Sequence, residues 1–374
     1  MKRYPILLAH ALGIVLLSAL ILAGAGRIAP RLIATINASA QGLLYRLRGV
    51  QPGDARVVLA AIDDESISRI GGFPWRRSVA ARLIEHLTQL GARTIAFDVL
   101  YLDPSAHPED DQALAEAIQR SGRVILGEVV SPGKGGATPQ RQEPLPLLAR
   151  GAAGLGDVSV TGEVQVDGAI RSYATKIASA GLPDAFPLAV VAVAHFLGQD
   201  PQRLAARLPA RLRLNYRGPW DARSFRAIPV CHILDDQLTP DETAALREAL
   251  VFVGSVSSQA FDLHPSPFGG QMPGPLAQLT LADNILDQRW LASLRPSSDL
   301  LLCAVPLALF LVFCASLSSA SYLAGLAGAA LACLLAAWLS FSGGIWLRPA
   351  VLLTSFLVSF LWTLFARKSL NRGG

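Results

Sequence analysis

The chain has 374 residues, 52% of them hydrophobic and only 16% charged, with a formal net charge of +5 and a mean hydropathy of +0.40. Soluble globular domains carry about 25% charged residues. The balance therefore excludes disorder and argues against a purely soluble protein. The apolar excess sits in residues 4–26 and 300–366, while the middle has ordinary globular composition. A lipid bilayer is thus the first expected partner. The arginines are scattered rather than clustered with aromatics on one element, which argues against nucleic acid. Of four cysteines, only Cys231 falls in the water-facing region, so no internal disulfide forms there, and no cysteine pair has zinc spacing.

The first apolar run is Ile6 to Gly26, behind Met1-Lys2-Arg3. It is too long for the core of a secretory signal and long enough to span a bilayer, so it reads as an uncleaved anchor. Three more spans follow the middle: Leu300–Leu317, Tyr322–Phe341 and about Pro349–Ala366. Short breaks between them force neighbouring antiparallel helices. Small residues at Ala324, Gly325, Gly328, Ala329 and Ala332 give a close-packing face, either within the bundle or as a dimer seam. Four spans place both termini on one side. The termini carry Lys2, Arg3, Arg367, Lys368 and Arg372, against one Arg348 in the short external loop. Both termini are therefore expected in the cytoplasm and the large domain outside. No charged residue sits mid-span, and only His10 lies shallowly in the first, which argues against a pump or carrier.

Between the spans, residues 27–48 have helical periodicity and are expected to continue the first helix outward. Arg56–Ile62 reads as a buried strand, Arg77–Leu90 as a helix, Arg93–Val99 as a strand, Asp110–Arg120 as a helix and Arg123–Gly127 as a strand. That alternation predicts a right-handed parallel α/β unit. Residues 131–146 are rich in Pro and Gly and read as a loop or an insertion boundary. Leu155–Val160 and Gly168–Ile177 then read as an antiparallel pair. Phe186–Leu197 is an apolar helix and Arg211–Tyr216 a strand. Thr239–Leu250 is a helix capped by Thr239, with Pro240 at its first position. Leu250–Gly254 is a last strand and Pro275–Leu286 a closing helix. The expected fold is an α/β domain with a mixed, largely parallel sheet plus four transmembrane helices, one N-terminal and three C-terminal. Its divisions are 1–26, 27–298, 299–366 and a basic tail, 367–374.

Acidic residues at strand ends carry the strongest chemical suggestion. Asp63 and Asp64 follow the first strand, Asp98 ends the second and Asp103 comes soon after. Such carboxylates either cap helices, hold a cation or polar ligand, or act in acid–base catalysis. No dinucleotide, phosphate-loop, zinc-protease or nucleophile-elbow motif is present, and the six histidines never pair at ligand spacing. Asp262 and His264, followed by Pro-Ser-Pro, read as loop bracing.

The segment from Ala60 to Pro104 resembles the core of the type-two CHASE domain, an extracellular sensory domain of bacterial cyclases and kinases. The residues that carry the likeness are Ile62-Asp63, Ser66, Gly71, Pro74-Trp75-Arg76-Arg77 and Phe97-Asp98-Val99. Further matches are Asp111, Val166-Asp167-Gly168 with Arg171, Asn215-Tyr216-Arg217-Gly218, Val253-Gly254, Asp262 and Pro273-Gly274. The family layout of one anchor before the domain and three spans after it also matches. Where the family shows an acidic residue and a His-Ala pair after its Pro-Gly, this chain has Pro275-Leu276-Ala277-Gln278.

The resemblance implies a sensor module in a bacterial inner membrane, not an enzyme. With the sequence ending at Gly374, its output is expected to lie in a separate signalling protein, in a homodimer or hetero-oligomer. Asp63, Asp98, Trp75, Arg76 and Arg77 are the expected contacts for an external ligand or periplasmic partner. Pro74 and Trp75 serve equally well to fill the core beneath their turn. No catalytic residue, metal or cofactor is expected. Two alternatives stand: a scaffold subunit of an envelope complex, and a metal-dependent external hydrolase using Asp63 and Asp98.

Overall fold

The computed structural model describes residues 3–131, 139–159, 166–179, 181–220, 224–257, 262–315 and 318–372. The chain divides into two compact units, one of residues 1–48, 165–167 and 291–374, the other of 49–164 and 168–290.

The first unit is helical and opens with α1 (Arg3–Ile28) and α2 (Pro30–Arg48). The helix expected to run on through 27–48 breaks at Ala29, where Pro30 lacks the N–H that would continue the ladder. Among the described residues, four helices are long and apolar enough to cross a membrane: Leu8–Ile28, Pro296–Ala315, Ser319–Ser342 and Pro349–Ala366. Two polar pairs lie among these helices. The Trp362 indole donates to His10 Nδ1 at 2.9 Å, and the Arg348 guanidinium lies 3.0 Å from the buried Asp299.

The second unit is α/β. Its first half holds β1 (Val57–Ile62), α3 (Asp64–Ile70), α4 (Arg77–Gln89), β2 (Thr94–Phe97), α5 (Pro108–Ser121), β3 (Val124–Ser131), β4 (Gln140–Gln142) and β5 (Gly154–Asp157). Its second half holds α6 (Leu188–Phe196), β6 (Arg226–Pro229), α7 (Val230–Leu234), α8 (Pro240–Leu246), β7 (Leu250–Ser255) and α9 (Pro275–Asp287). The sheet order is β6-β1-β7-β2-β3-β4, with β5 also paired to β3. Every pairing is parallel except β3 with β4. β1 reads Val-Val-Leu-Ala-Ala-Ile and is buried throughout, the mark of a parallel strand covered on both faces.

One face packs Val58, Ile62, Ile95, Phe97 and Val253 against Leu83, Ile84 and Leu87 of α4 and Leu114 and Ile118 of α5. The other face is covered by α6 and α9, both almost wholly buried. Glycines permit that approach. A Cβ on Gly156 would meet Leu188 Cα at 2.5 Å, and one on Gly254 would meet Pro275 Cγ at 2.5 Å.

Three sequence expectations change. Gly154–Asp157 joins the sheet parallel to β3, and Ser172–Ala174 pairs antiparallel with Arg211–Arg213, so the expected hairpin between 155–160 and 168–177 does not form. Val160 itself lies outside the described residues. The helix after Thr239 stops at Leu246, because Leu250 already belongs to β7. β6 was not anticipated; it is a short edge strand ending in Pro229, a pattern too weak to read as a strand. Of the Pro/Gly stretch, 132–138 lie outside the described residues, while Gln140–Gln142 pair with β3.

Candidate functional site

The carboxyl ends of the parallel strands form one rim, the place where open α/β sheets bind ligands. Two neighbourhoods on it carry chemistry, one on each face of the sheet.

The first is the turn between α3 and α4. Gly71 ends α3 at φ 121°, a backbone that suits glycine. Its carbonyl then accepts a hydrogen bond from Trp75 Nε1 at 2.8 Å, closing the turn, and the Trp75 and Phe73 rings meet edge to face with centroids 5.6 Å apart. Trp75 packs against the core and also walls a cavity of about 250 Å³. Arg76, Arg77, Phe97 and Tyr101 line the same cavity.

Both arginines reach the first turn of α5. Arg76 grips Asp110 through two hydrogen bonds, Nε to Oδ2 at 2.7 Å and Nη2 to Oδ1 at 3.1 Å, and its guanidinium holds that carboxyl below the usual range. Arg77 pairs with Asp111, donates to the Asp103 carbonyl, and lies over the Tyr101 ring 5.5 Å from its centroid. Acidic side chains at a helix start oppose the positive end of its dipole, so these pairs hold α4 to α5 where α5 gains most from negative charge. Burial pushes the Tyr101 phenol well above its ordinary range. The cavity therefore offers aromatic walls and a neutral hydroxyl, with two cations already engaged at its edge.

The second neighbourhood lies on the α6/α9 face. Asp98 follows β2, and its Cβ is 3.5 Å from the Cβ position of Gly254. Burial raises the Asp98 pKa from 3.8 to about 7, Asp262 and Asp157 push the same way, and His264 opposes. Asp157 ends β5. It accepts from Ser159 Oγ at 2.7 Å and from Val130 N at 2.8 Å, yet burial still lifts it to about 6. Asp262 Oδ1 accepts from His264 Nε2 at 3.0 Å, and the Asp262 carboxylate occupies the space a side chain on Gly274 would need. The buried Tyr173 phenol is pushed up by burial and by all three carboxylates. Buried carboxyls raised like Asp98 and Asp157 hold a proton toward neutral pH.

The five residues expected from sequence thus fall in three places. Trp75, Arg76 and Arg77 share the cavity. Asp98 belongs to the carboxylate group on the opposite face. Asp63 caps α3, accepting from Ser66 N at 2.8 Å. Sequence reading missed Asp157, although it ends a strand just as Asp63 and Asp98 follow theirs. It read Asp262 and His264 as bracing, because nothing in their spacing places them beside Asp98.

A family model for the CHASE2 domain matches residues 14–319. The match begins inside α1, takes in the whole α/β unit and ends just past the second apolar helix. No curated protein and no solved structure matches the chain. A match over most of the sequence, with the sheet rim and turn in place, makes the chain a member of the CHASE2 family of sensory domains.

Proposed function

We propose that this chain is a membrane-anchored sensor module whose α/β unit stands outside a bacterial inner membrane with both termini in the cytoplasm. The basic termini and the single Arg348 between the last two spans support that orientation. A small ligand with an aromatic or apolar body enters the cavity beside Trp75, Arg76 and Arg77. Binding there shifts the α4–α5 contact, and the change passes through the four spans to a separate signalling protein. Such a shift requires that the ligand prefer one of two packings.

The observation that carries this reading is the cavity itself. It is a concave, aromatic-walled space at the carboxyl ends of the central strands, in a chain of a sensory family. Asp63 and Asp98, the pair of the hydrolase alternative, lie in separate neighbourhoods: Asp63 caps α3, while Asp98 sits among Asp157, Asp262 and His264.

The test is affinity purification of the full-length chain from detergent-solubilised native membrane, with mass spectrometry of the proteins that accompany it. A kinase, cyclase or regulator in stoichiometric amount supports sensing in trans. Envelope structural proteins alone, or only copies of this chain, would replace the sensor with a scaffold.

A further inference from the structure

Away from both neighbourhoods, the outermost parallel pair of the sheet brings three metal-ligating side chains together. β1 and β6 end side by side, with Ala61 in register with Pro229. Each then turns into a short helix. Glu65 lies in the first turn of α3, and Cys231 and His232 open α7. Ser66 Oγ accepts from Cys231 N at 3.1 Å and fixes the two helix starts to each other. One ligand atom from each of Glu65, Cys231 and His232 lies within 4.8 Å of the others.

The histidine stands between two carboxylates. His232 Nε2 faces Glu65 Oε1 at 3.4 Å, and Nδ1 faces Glu242 Oε1 at 3.8 Å. A neutral imidazole carries one N–H, so it can donate to one carboxylate only and must turn a lone pair toward the other. Nδ1 is buried and makes no hydrogen bond. The Nε2–Oε1 separation is long for an N–H···O bond. It equals the edge of a tetrahedron, about 3.3 Å, for metal–ligand distances near 2.0–2.1 Å. A cation held by Nε2 and Oε1 would leave Nδ1–H to donate to Glu242. That carboxylate is itself held by Thr239, whose N donates to its Oε2 at 2.8 Å. Metal-bound histidines are oriented by such carboxylates.

We propose that Glu65, Cys231 and His232 bind one divalent cation of the zinc class, with water in the fourth position and Glu242 orienting His232. A borderline-soft cation suits one sulfur, one imidazole nitrogen and one carboxylate oxygen. On binding, the Cys231 thiol releases its proton to solvent, and the thiolate and Glu65 together neutralise the ion. Arg69 neighbours the same atoms. Its Nη1 lies 3.9 Å from Cys231 Sγ and 3.3 Å from Glu65 Oε1. The ion displaces only those contacts. Nη2 keeps Gln237 at 2.9 Å and Asp235 at 3.1 Å. Half-exposed Glu65 gives the ion its route from solvent. The site is independent of the ligand cavity, so its presence or absence leaves the sensor reading untouched.

The experiment loads the full-length chain in detergent with Co2+ alone or Zn2+ alone, desalts it, and measures bound metal and the cobalt spectrum. The expected result is one ion per chain, with tetrahedral cobalt bands and a thiolate-to-cobalt charge-transfer band. Cys231→Ser abolishes that band. His232→Gln and Glu242→Gln each weaken binding by about 10–100-fold. Arg69→Gln tightens it, and Asp98→Asn leaves it unchanged. Circular dichroism confirms that each variant is folded. Retention of no metal by the wild type overturns the proposal. So does equal retention by folded Cys231→Ser and His232→Gln, or loss on Asp98→Asn.

Discussion

Phe97 and Asp98 are neighbours in the chain and serve opposite faces of the sheet. Phe97 is buried in the core beneath α4 and α5, while Asp98 sits beside Gly254 under the start of α9. Side chains alternate along a strand, so two adjacent residues of one motif supply two separate neighbourhoods. The cavity beside Trp75 is built on the first face, and the carboxylate group on the second.

Asp98 makes stability depend on pH in a definite direction. Its pKa rises from 3.8 to about 7 on folding. Between those values the folded chain keeps a proton that the unfolded chain releases. Its favourable contribution is complete at acidic pH and is lost as pH climbs through 7. Asp98→Asn removes that loss. Relative to wild type, the variant gains stability between about pH 5 and pH 8, by on the order of a few kcal/mol at most. Chemical unfolding of both proteins at the two pH values measures it, and a pH-independent difference would count against the buried-carboxyl assignment.

The two arginines of the turn differ in what they hold. Arg77 and Asp111 are 12% and 9% exposed, whereas the Arg76 side chain is 54% exposed. Removing one member of a shielded pair strands the other charge, at about 3 kcal/mol or more. The half-exposed Arg76 guanidinium is screened by water, so its pair with the 5%-exposed Asp110 contributes less. Arg77→Ala therefore destabilises more than Arg76→Ala, in which water can still reach the stranded Asp110 from the side that Arg76 leaves open. Denaturant midpoints of the two variants decide it; equal shifts would show that Arg77 is not the stronger tie.

Gly156 and Gly72 predict opposite outcomes for the same substitution. A methyl on Gly156 runs into Leu188 backbone, which cannot turn aside. Gly156→Ala should cost about 1–3 kcal/mol by forcing α6 off the sheet. Gly72 has nothing within 4 Å of its Cβ position, so Gly72→Ala should be close to neutral. Thermal melts of both variants make the comparison, and a stable Gly156→Ala protein would mean that α6 packs less closely.

Trp75→Phe keeps an aromatic ring at the cavity wall and removes the hydrogen bond to Gly71 O. The Gly71 carbonyl then loses its indole donor, and unfolding free energy should fall by about 1 kcal/mol. An unchanged denaturant midpoint would assign the closure of the turn to ring packing alone.

Hydrophobic patterning by itself determined the four long apolar helices, the buried strands at Val57–Ile62, Thr94–Phe97 and Leu250–Ser255, and the helices Arg77–Gln89 and Pro275–Asp287. Each is a local signal. Apolar length reports a helix able to cross a membrane, and an unbroken apolar run reports a strand covered on both faces. The Pro-Trp-Arg-Arg turn was legible for the same reason, since its residues are consecutive and close on one another. Tertiary structure alone decided which strands are neighbours. Parallel pairing is non-local, so nothing within Gly154–Asp157 or Arg226–Pro229 announces that they lie beside β3 and β1. Those pairings in turn set Asp157 and Asp262 around Asp98, and Glu65 beside Cys231 and His232. Chemistry made from residues on separate strands exists only once the sheet has put their ends together.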